Sequence, residues 1–389
     1  MPWDPICKMD VKESSPWHLI QAQKTYYFCS QHCLKKFAVE NAIDLSLIDS
    51  CCALLSKQWY KNKTLIVALI LIASILLSYL FPILIPFREA LLMYLKMIWW
   101  AILLGLFLGG LMDYYIPREY ISQILAKPQK RTIFYAVGLG TLASVCSHGI
   151  LAIAMELYKK GASTPSVVAF LLASPWTGLP ITLLLIGFFG IIKAFHIILG
   201  AIVIALVTGL IYQVLEEKNF IESNDNTLTI KSDFSILNDI KQRFQDYKFT
   251  KEQLFSDFKG IVEGVFALGD MVVWWILIGI ALASLTGAYV PKNIFQHYMG
   301  PTLLGMTVTL IVATIIEVCS EGTAPLAFEL YKQTGALGNS FVFLMAGVVT
   351  DYTEIGLLWH NVGKKTALWL PVITVPQVIL WGLLANRIF

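Results

Sequence analysis

The chain has 389 residues, of which 57% are hydrophobic and 14% are charged, and its formal net charge is +3. Soluble domains carry about 25% charged residues, so this composition excludes a single water-soluble globule, and its apolar content excludes a disordered chain. The net charge is too small for a nucleic-acid-binding protein, so we expect no nucleic-acid partner. What remains is a membrane protein.

The N-terminal region is polar and rich in cysteine. It has no apolar segment typical of a secretory signal. Three of the seven cysteines, Cys7, Cys29 and Cys33, lie here, and an odd total does not suit a disulfide framework. A bound metal would stabilise a module too small for a large core, although chance spacing is the alternative. We therefore predict a small metal-binding domain over residues 1–45 and a tether over 46–63.

The rest of the chain predicts an all-α polytopic membrane protein with about 8–10 transmembrane helices. A first membrane segment (64–215) and a second (259–389) flank a linker at 216–258, which carries nine acids and six bases. We expect this linker to be exposed, with a short amphipathic helix around 234–247. Nine spans of sufficient length are predicted, at 64–87, 91–112, 132–157, two within 167–215, 261–289, 302–331, 337–360 and 366–387.

The orientation of these spans is only partly readable. Lys/Arg-rich segments precede the first span and follow the second, which favours a cytoplasmic N-terminal domain and a cytoplasmic (inner) membrane location. The side of the membrane on which the linker lies stays open.

Two segments of the chain repeat. Residues 145–158 read VCSHGILAIAMELY and residues 318–331 read VCSEGTAPLAFELY, 173 positions later. The same spacing relates Phe170 to Phe343. The pair Trp99-Trp100 corresponds to Trp274-Trp275 at a spacing that is two residues longer. Repeated halves are typical of secondary transporters. Four spans in each half would make the repeats parallel, whereas an odd number would make them inverted.

Polar residues concentrate around the repeated motif within apolar segments, where ionisable groups are costly. Cys146 and His148 are two apart, so both can face one site only if the helix is interrupted, and Gly149 and Gly322 would permit this. Thiolate, imidazole and carboxylate suit borderline transition metals and softer thiophilic ions. The predicted ligands are Cys146, His148, Cys319, Glu321, Asp351 and Glu354.

Simpler explanations stay open for individual residues. A lone cysteine in a membrane span is usually a packing residue. Glu156 and Glu329 precede Tyr-Lys at span ends, which is typical of interfacial anchors. Asp351 and Glu354, three positions apart, are expected on one helix face, as are Glu317 and Glu321.

The N-terminal pattern, DPICKM at 4–9 and YYFCSQHCLKKF at 26–37, closely resembles the YHS domain, a relative of TRASH-type metal-binding modules. The resemblance covers residues 1 to about 45. It implies that Cys7, Cys29 and Cys33 bind a transition-metal ion, for example zinc or copper, with His32 as a further candidate ligand.

Residues from about 64 to 389 resemble the predicted permease family that includes the organoarsenical exporter ArsP and its YraQ-like relatives. The motifs are VCSHG at 145–149, FLLASP at 170–175, VCSEG at 318–322 and AGVVTDYTEIG at 346–356. The family usually has a second cysteine where His148 stands, and an Asn after the SP motif is absent. An imidazole in place of a thiolate shifts the expectation from trivalent arsenic toward a divalent metal.

The leading hypothesis is a secondary permease that exports a heavy-metal ion or metalloid, with the YHS domain capturing or sensing the same ion. Uptake through the same site is the first alternative, and a non-transporting membrane sensor or enzyme is the second. Walker A, DKTGT and HExxH motifs are absent, so we expect neither ATP-driven transport nor an enzyme, and no required cofactor. The partners expected are the ion and the lipid bilayer. Homo-oligomerisation stays open.

Overall fold

The chain divides into two units, Met1–Asn62 and Lys63–Phe389. A computed structural model describes residues 63–115, 131–142, 147–159, 161–224, 251–316 and 320–389 of the chain, and within the first unit only Pro5, Val11, 18–21, 24–28, Leu34 and Phe37. The amphipathic helix expected at 234–247 lies outside the described residues.

The described part of the first unit is a small antiparallel hairpin with a few buried side chains. Strand β1 (His18–Gln21) pairs with β2 (Lys24–Tyr27). Phe28 is fully buried, and its ring lies 5.3 Å from that of Phe37.

The second unit is helical. Its fourteen described helices are α1 (Lys63–Leu77), α2 (Ile85–Tyr115), α3 (Arg131–Leu142), α4 (Ser147–Lys159), α5 (Thr164–Thr177), α6 (Leu179–Phe189), α7 (Ile191–Glu217), α8 (Lys251–Tyr289), α9 (Lys292–Tyr298), α10 (Leu303–Ile316), α11 (Ser320–Thr334), α12 (Leu337–Val349), α13 (Tyr352–Asn361) and α14 (Lys364–Ile388).

The helix boundaries confirm the internal repeat. Helices α4, α5, α6 and α7 each begin 173 residues before α11, α12, α13 and α14, respectively. Helix α3 corresponds in the same order to α10, and α2 corresponds to α8. Helix α9 is an addition to the second half among the described residues.

The first pair of equivalent helices, α2 and α8, runs antiparallel. Gly110 near the end of α2 borders Gly264 near the start of α8. At the other end, the Tyr289 hydroxyl donates to the Ile83 carbonyl, which lies just before α2, at 2.7 Å.

A second equivalent pair, α7 and α14, has the same relation. Gly200 in the first half of α7 borders Trp381 in the last part of α14. The Tyr212 hydroxyl, near the end of α7, donates to the Thr366 carbonyl at the start of α14. Because equivalent helices point in opposite directions, the repeats are inverted, which decides between the parallel and inverted arrangements that the sequence left open.

Helices α10 and α11 form a hairpin rather than one span. Asn339 near the start of α12 donates to Thr309, and Thr350 just after α12 shares a 2.6 Å hydrogen bond with Thr314, so α10 and α12 run in the same direction. Helix α11 packs against α12 and is joined to it by two residues, so it runs in the opposite direction. Each arm of 14–15 residues is roughly 21–23 Å long, too short for a ~30 Å hydrocarbon core.

The first half has the equivalent hairpin, α3–α4. Ile133 and Ala169 both border Gly209, and the Ser174 hydroxyl donates to the Gly140 carbonyl, so α3 and α5 run in the same direction. Helix α4 packs against α5 after a short turn and therefore runs back. The single spans predicted at 132–157 and 302–331 are thus both re-entrant hairpins.

The number of spans is consequently lower than predicted. Among the described residues, five helical segments are long and apolar enough to cross a membrane: α2, α7, α8, α12–α13 and α14. The pair α5–α6, bent by 47° at Gly178, makes a sixth, as Pro175 and Pro180 predicted. The pair α9–α10 is also long and apolar enough when joined, which would make a seventh, but it is bent by 112° and α10 belongs to the hairpin described above. Leaving that pair aside, each half has three spans, an odd number that suits inverted repeats. The 15-residue apolar helix α1 precedes them.

Both described ends of the predicted linker are packed against the helices. Glu222 accepts hydrogen bonds from the backbone N–H groups of Lys365 and Thr366 at the start of α14. Asn224 donates to the carbonyls of Tyr158 and Ala162 at the turn between α4 and α5. At the other end α8 already begins at Lys251, before the predicted start of the second membrane segment at 259.

Candidate functional site

Helices α6 and α11 run in the same direction on one side of the α2–α8 pair. Gly105 of α2 borders Pro180 at the start of α6, and the earlier Ile98 borders Gly187 near the end of α6, so α6 runs opposite to α2. Helix α11 instead runs with α8, because Gly279 borders Gly322 and Gly287 borders Glu329. Since α2 and α8 are antiparallel, α6 and α11 are parallel.

The first residues of α6 and α11 lie at a similar depth. The Phe188 and Phe328 rings stack at 5.3 Å, and Pro180 and Ser320 each stand eight residues earlier in their helices. The inverted counterparts of this pair, α13 and α4, also contact each other. Four helices therefore begin within the membrane region, namely α4, α6, α11 and α13. They begin next to the ends of α3, α5, α10 and α12, respectively. Broken helices that begin at membrane depth are the arrangement that carriers use to bind substrates.

The repeated Cys-Ser motif lies at two of these four helix starts. Cys146 directly precedes α4 and Cys319 directly precedes α11; both lie outside the described residues. His148 is the second residue of α4, and its side chain is also outside the described part. Helices α4 and α11 begin at the motif serines, and Gly149 and Gly322 lie inside these helices rather than at an interruption. Gly322 instead allows close contact between α11 and α8.

Three predicted carboxylates lie at the starts of α11 and α13 and are buried. Glu321 is the second residue of α11 and is 5% exposed, Asp351 is 4% exposed, and Glu354 is 2% exposed. The Ser320 hydroxyl donates to Glu321 Oε2 at 2.9 Å. All three acids are therefore buried in the protein, and their role as ligands stays a prediction.

Asp351 has a structural role that the sequence analysis missed. It is the N-cap of α13, and its Oδ1 accepts from the backbone N–H groups of Thr353 at 2.6 Å and Glu354 at 3.2 Å. It therefore precedes the helix rather than sharing a face with Glu354. The pattern Asp-x-x-Glu at 351–354 was a readable capping signal. Glu317 lies outside the described residues, so its expected position on one helix face with Glu321 stays a prediction.

The described side chains alone do not assemble a metal site. No three of the described His, Cys, Asp and Glu side chains lie close enough together to hold an ion. A site here would need the thiols of Cys146 and Cys319 and the imidazole of His148. The N-terminal candidates Cys7, Cys29 and Cys33 also lie outside the described residues, although Cys29 follows the buried Phe28 and Cys33 precedes the buried Leu34.

Glu329 is not an interfacial anchor. It is fully buried and accepts hydrogen bonds from Tyr94 of α2 and Gln333 of α11, with Lys332 Nζ 3.6 Å away. This cluster joins the first half to the second. In the sequence, the recurrence of Glu329 as Glu156 in the other repeat was the signal that it is a buried structural residue.

The two halves pack differently around the α2–α8 pair. Helix α2 packs extensively on α6 and α8 on α11, whereas the repeat-equivalent pairs, α8 with α13 and α2 with α4, make no comparable contact among the described residues. Equivalent leucines show the difference, since Leu184 on α6 is 1% exposed and Leu357 on α13 is 43% exposed. One pair of helix starts is therefore covered by the α2–α8 pair and the other is not.

Together these features define a multi-pass membrane protein with two inverted repeats, each containing a re-entrant hairpin and a broken span. Residues 87–387 match the family model ArsP_1, described as a predicted permease, and the chain belongs to this family. The permease resemblance seen in the motifs is thereby confirmed.

Similar proteins are known from several bacteria. The UPF0718 protein YcgR of Bacillus subtilis is 23% identical over 281 residues, which cover 72% of this chain and 90% of that protein. A Streptococcus mutans protein, named as a candidate subunit of a two-component membrane permease complex, is 21% identical over 66% of this chain and 80% of its own length. The candidate permease Rv2963 of Mycobacterium tuberculosis is 24% identical over 60% of each chain. No solved structure matches the chain.

Proposed function

We propose that the protein is a secondary carrier that exports a heavy-metal ion or metalloid across the cytoplasmic membrane. The observation that supports a carrier is the unequal packing of two inverted halves. If each half adopted the conformation of the other, α2 would cover α4 and α8 would cover α13, and the helix starts would open toward the opposite side. Such an exchange gives alternating access around a fixed site.

The substrate class rests on the donor groups at the helix starts. Cys146, His148 and Cys319 would supply two thiolates and an imidazole, which suit zinc, copper and related thiophilic ions. The buried carboxylates Glu321 and Glu354 would complete the coordination or take up protons when the ion leaves, because ion binding and protonation compete.

Export is favoured over uptake because we propose that the N-terminal module lies in the cytoplasm and captures the ion there. Uptake by the same site remains the alternative, and flux in vesicles of known orientation distinguishes the two directions. A protein that only senses the metal would bind it without any flux.

The test is metal flux into liposomes containing the purified protein, measured for zinc and arsenite by elemental analysis. Cys146→Ser and Cys319→Ser should each lower metal affinity about tenfold or more. Cys52→Ser, in the tether, is the matched control and should transport normally. Flux that is unchanged in both motif variants would overturn the cysteine site, and His148→Cys should favour arsenite over zinc if the imidazole sets the preference.

We further propose that residues 1–45 form a YHS-type domain in which Cys7, Cys29 and Cys33 bind the same kind of ion. Deleting residues 1–45 should leave transport intact but change its apparent affinity or its regulation. The measurement is the concentration dependence of flux beside the full chain. An inert but correctly inserted truncation would show that the module belongs to the pathway itself.

The Streptococcus mutans relative suggests a further arrangement, in which this chain acts with a second membrane subunit. Reconstitution of the purified chain alone tests this directly, because flux without any other protein would show that no partner is required.

A further inference from the structure

A second candidate binding site lies away from the helix starts, in the second half. A cavity of about 370 Å³ lies among α8, α9, α10, α11 and α12, within the usual range of small-molecule sites, roughly 300–1,000 Å³. Its lining is almost entirely apolar and includes Phe295, Met299, Val308, Val312, Leu326 and Phe343.

The lining offers little to a polar or charged ligand. Thr286 and Tyr298 are its only hydroxyl-bearing side chains, and the Thr286 hydroxyl already donates to the Leu282 carbonyl at 2.7 Å. A buried water needs two to four polar partners, so water is a poor occupant. The cavity therefore suits a hydrocarbon and not the ion handled at the helix starts.

The surroundings of the cavity face lipid. Helix α9 turns by 112° from α10 and carries exposed Lys292 and His297, while its Phe295 is buried in the cavity wall. On the outer side of α10, Leu304 is 75% exposed and Ile315 is 76% exposed. An apolar cavity thus adjoins a lipid-facing surface, next to a short helix with two basic side chains and no acidic one.

We propose that this cavity binds one acyl chain of an anionic phospholipid, with the lipid phosphate held near Lys292 and His297. The apolar lining selects the chain, and the Lys292 ammonium selects the charge of the headgroup, as basic side chains do in interfacial helices. The His297 imidazole adds a hydrogen-bond donor for the phosphate. The bound chain would contact both arms of the α10–α11 hairpin and so stabilise its position. This proposal does not depend on the identity of the transported substrate.

The test uses the full chain in nanodiscs of phosphatidylcholine that contain a minor fraction of phosphatidylglycerol with a photoreactive diazirine near the end of one acyl chain. After illumination, labelled peptides are mapped by mass spectrometry. Label should concentrate on the cavity-lining residues of α10 and α11, at several times the level on Leu304 and Ile315.

Val312→Trp, which fills the cavity, should reduce this labelling several-fold. The matched control, Leu304→Trp on the outer face of the same helix, should leave it unchanged. Val308→Phe is a second filling variant should Val312→Trp fail to fold. Lys292→Gln combined with His297→Gln should reduce labelling by the phosphatidylglycerol probe but not by a phosphatidylcholine probe.

Two results would overturn the proposal. Even labelling of cavity and outer-face residues, insensitive to Val312→Trp and Val308→Phe, would show that no lipid chain enters. Absence of lipid label together with loss of metal flux in the filled variants would assign the cavity to the transport pathway instead.

Discussion

Glu222 illustrates how a single carboxylate can join the two halves of the molecule. Its oxygens accept two backbone N–H groups and the Thr366 hydroxyl at the start of α14, where a negative charge also complements the helix dipole. Burial alone would raise the pKa of Glu222, but the hydrogen bonds from Thr366 and Lys365 outweigh it, so the pKa lies below its ordinary value.

This lowered pKa gives a pH-dependent prediction. A carboxylate with a lower pKa in the folded state stabilises the fold above its unfolded pKa, about 4.3, and this contribution is lost as the pH falls through the folded pKa. Glu222→Ala should therefore cost about 1 kcal/mol at pH 7 and progressively less below pH 4. Apparent melting temperatures in detergent between pH 7 and pH 3 measure this.

The matched control for this substitution is Glu217→Ala. Glu217 is exposed at the end of α7, where a negative charge is unfavourable to the helix dipole. It should not lower the melting temperature at any pH. An equal effect of both substitutions would mean that Glu222 acts only through general charge.

At the residue scale, the sequence predicted burial better than it predicted contacts. Glu321, Asp351 and Glu354 were recognised because acids are rare in apolar segments. The partners of Glu329 were not recognised, because Tyr94 is 235 positions away and nothing local marks that pairing. Asp351 is a predicted ligand, and its spacing to Glu354 also matches the helix cap that the structure shows.

At the scale of helices, close contacts between glycines set how α8 and α11 pack. A Cβ added at Gly279 would collide with the Gly322 backbone, so Gly279→Ala must push the two helices apart. We expect a cost of about 1–3 kcal/mol, seen as a lower apparent melting temperature.

The comparison for this substitution is Gly138→Ala in α3, where a Cβ would meet nothing within 4 Å. Alanine favours helix over glycine by about 1 kcal/mol, so this variant should be as stable as the wild type or more so. Similar losses in both variants would show that α8 and α11 are not held by this contact.

The re-entrant hairpins show where sequence patterns stop being informative about elements. Residues 132–157 and 302–331 are apolar over the length of a span, and apolar periodicity does not distinguish one long helix from two short antiparallel ones. The direction of each arm is set by its contacts with α5 or α12, which are distant in the chain. The break at Gly178 was visible because Pro175 and Pro180 flank it.

At the scale of the whole molecule, the duplication was readable from the Cys-Ser motifs, but the inversion was not. Inversion follows from the opposite directions of α2 and α8 and of α7 and α14. Inversion also explains why the unequal packing of the halves supports the proposed exchange, in which each half would take up the conformation that the other displays.

The exchange of conformations predicts a contact that this conformation lacks. A photoreactive amino acid in place of Leu357, on the uncovered α13, should crosslink to α8 in membranes, and the product should accumulate during illumination as the minor state is visited. The same amino acid in place of Leu384, which is exposed on α14, should give no α8 product. Peptide mapping identifies the crosslinked helix, and the absence of any α13–α8 product would argue against the exchange.

The short segment Ile221–Asn224 limits which helices can move if the two repeats exchange conformations. Its hydrogen bonds join the turn between α4 and α5 to the start of α14, so we expect the hairpin of the first half and the last span of the second to move together. Helices α2 and α8 contact each other at Gly110 and Gly264, and the segment Ile221–Asn224 does not join them to these elements. In the proposed carrier, the α2–α8 pair would then rock past a stationary candidate site, rather than the site being carried through the membrane as in an elevator mechanism.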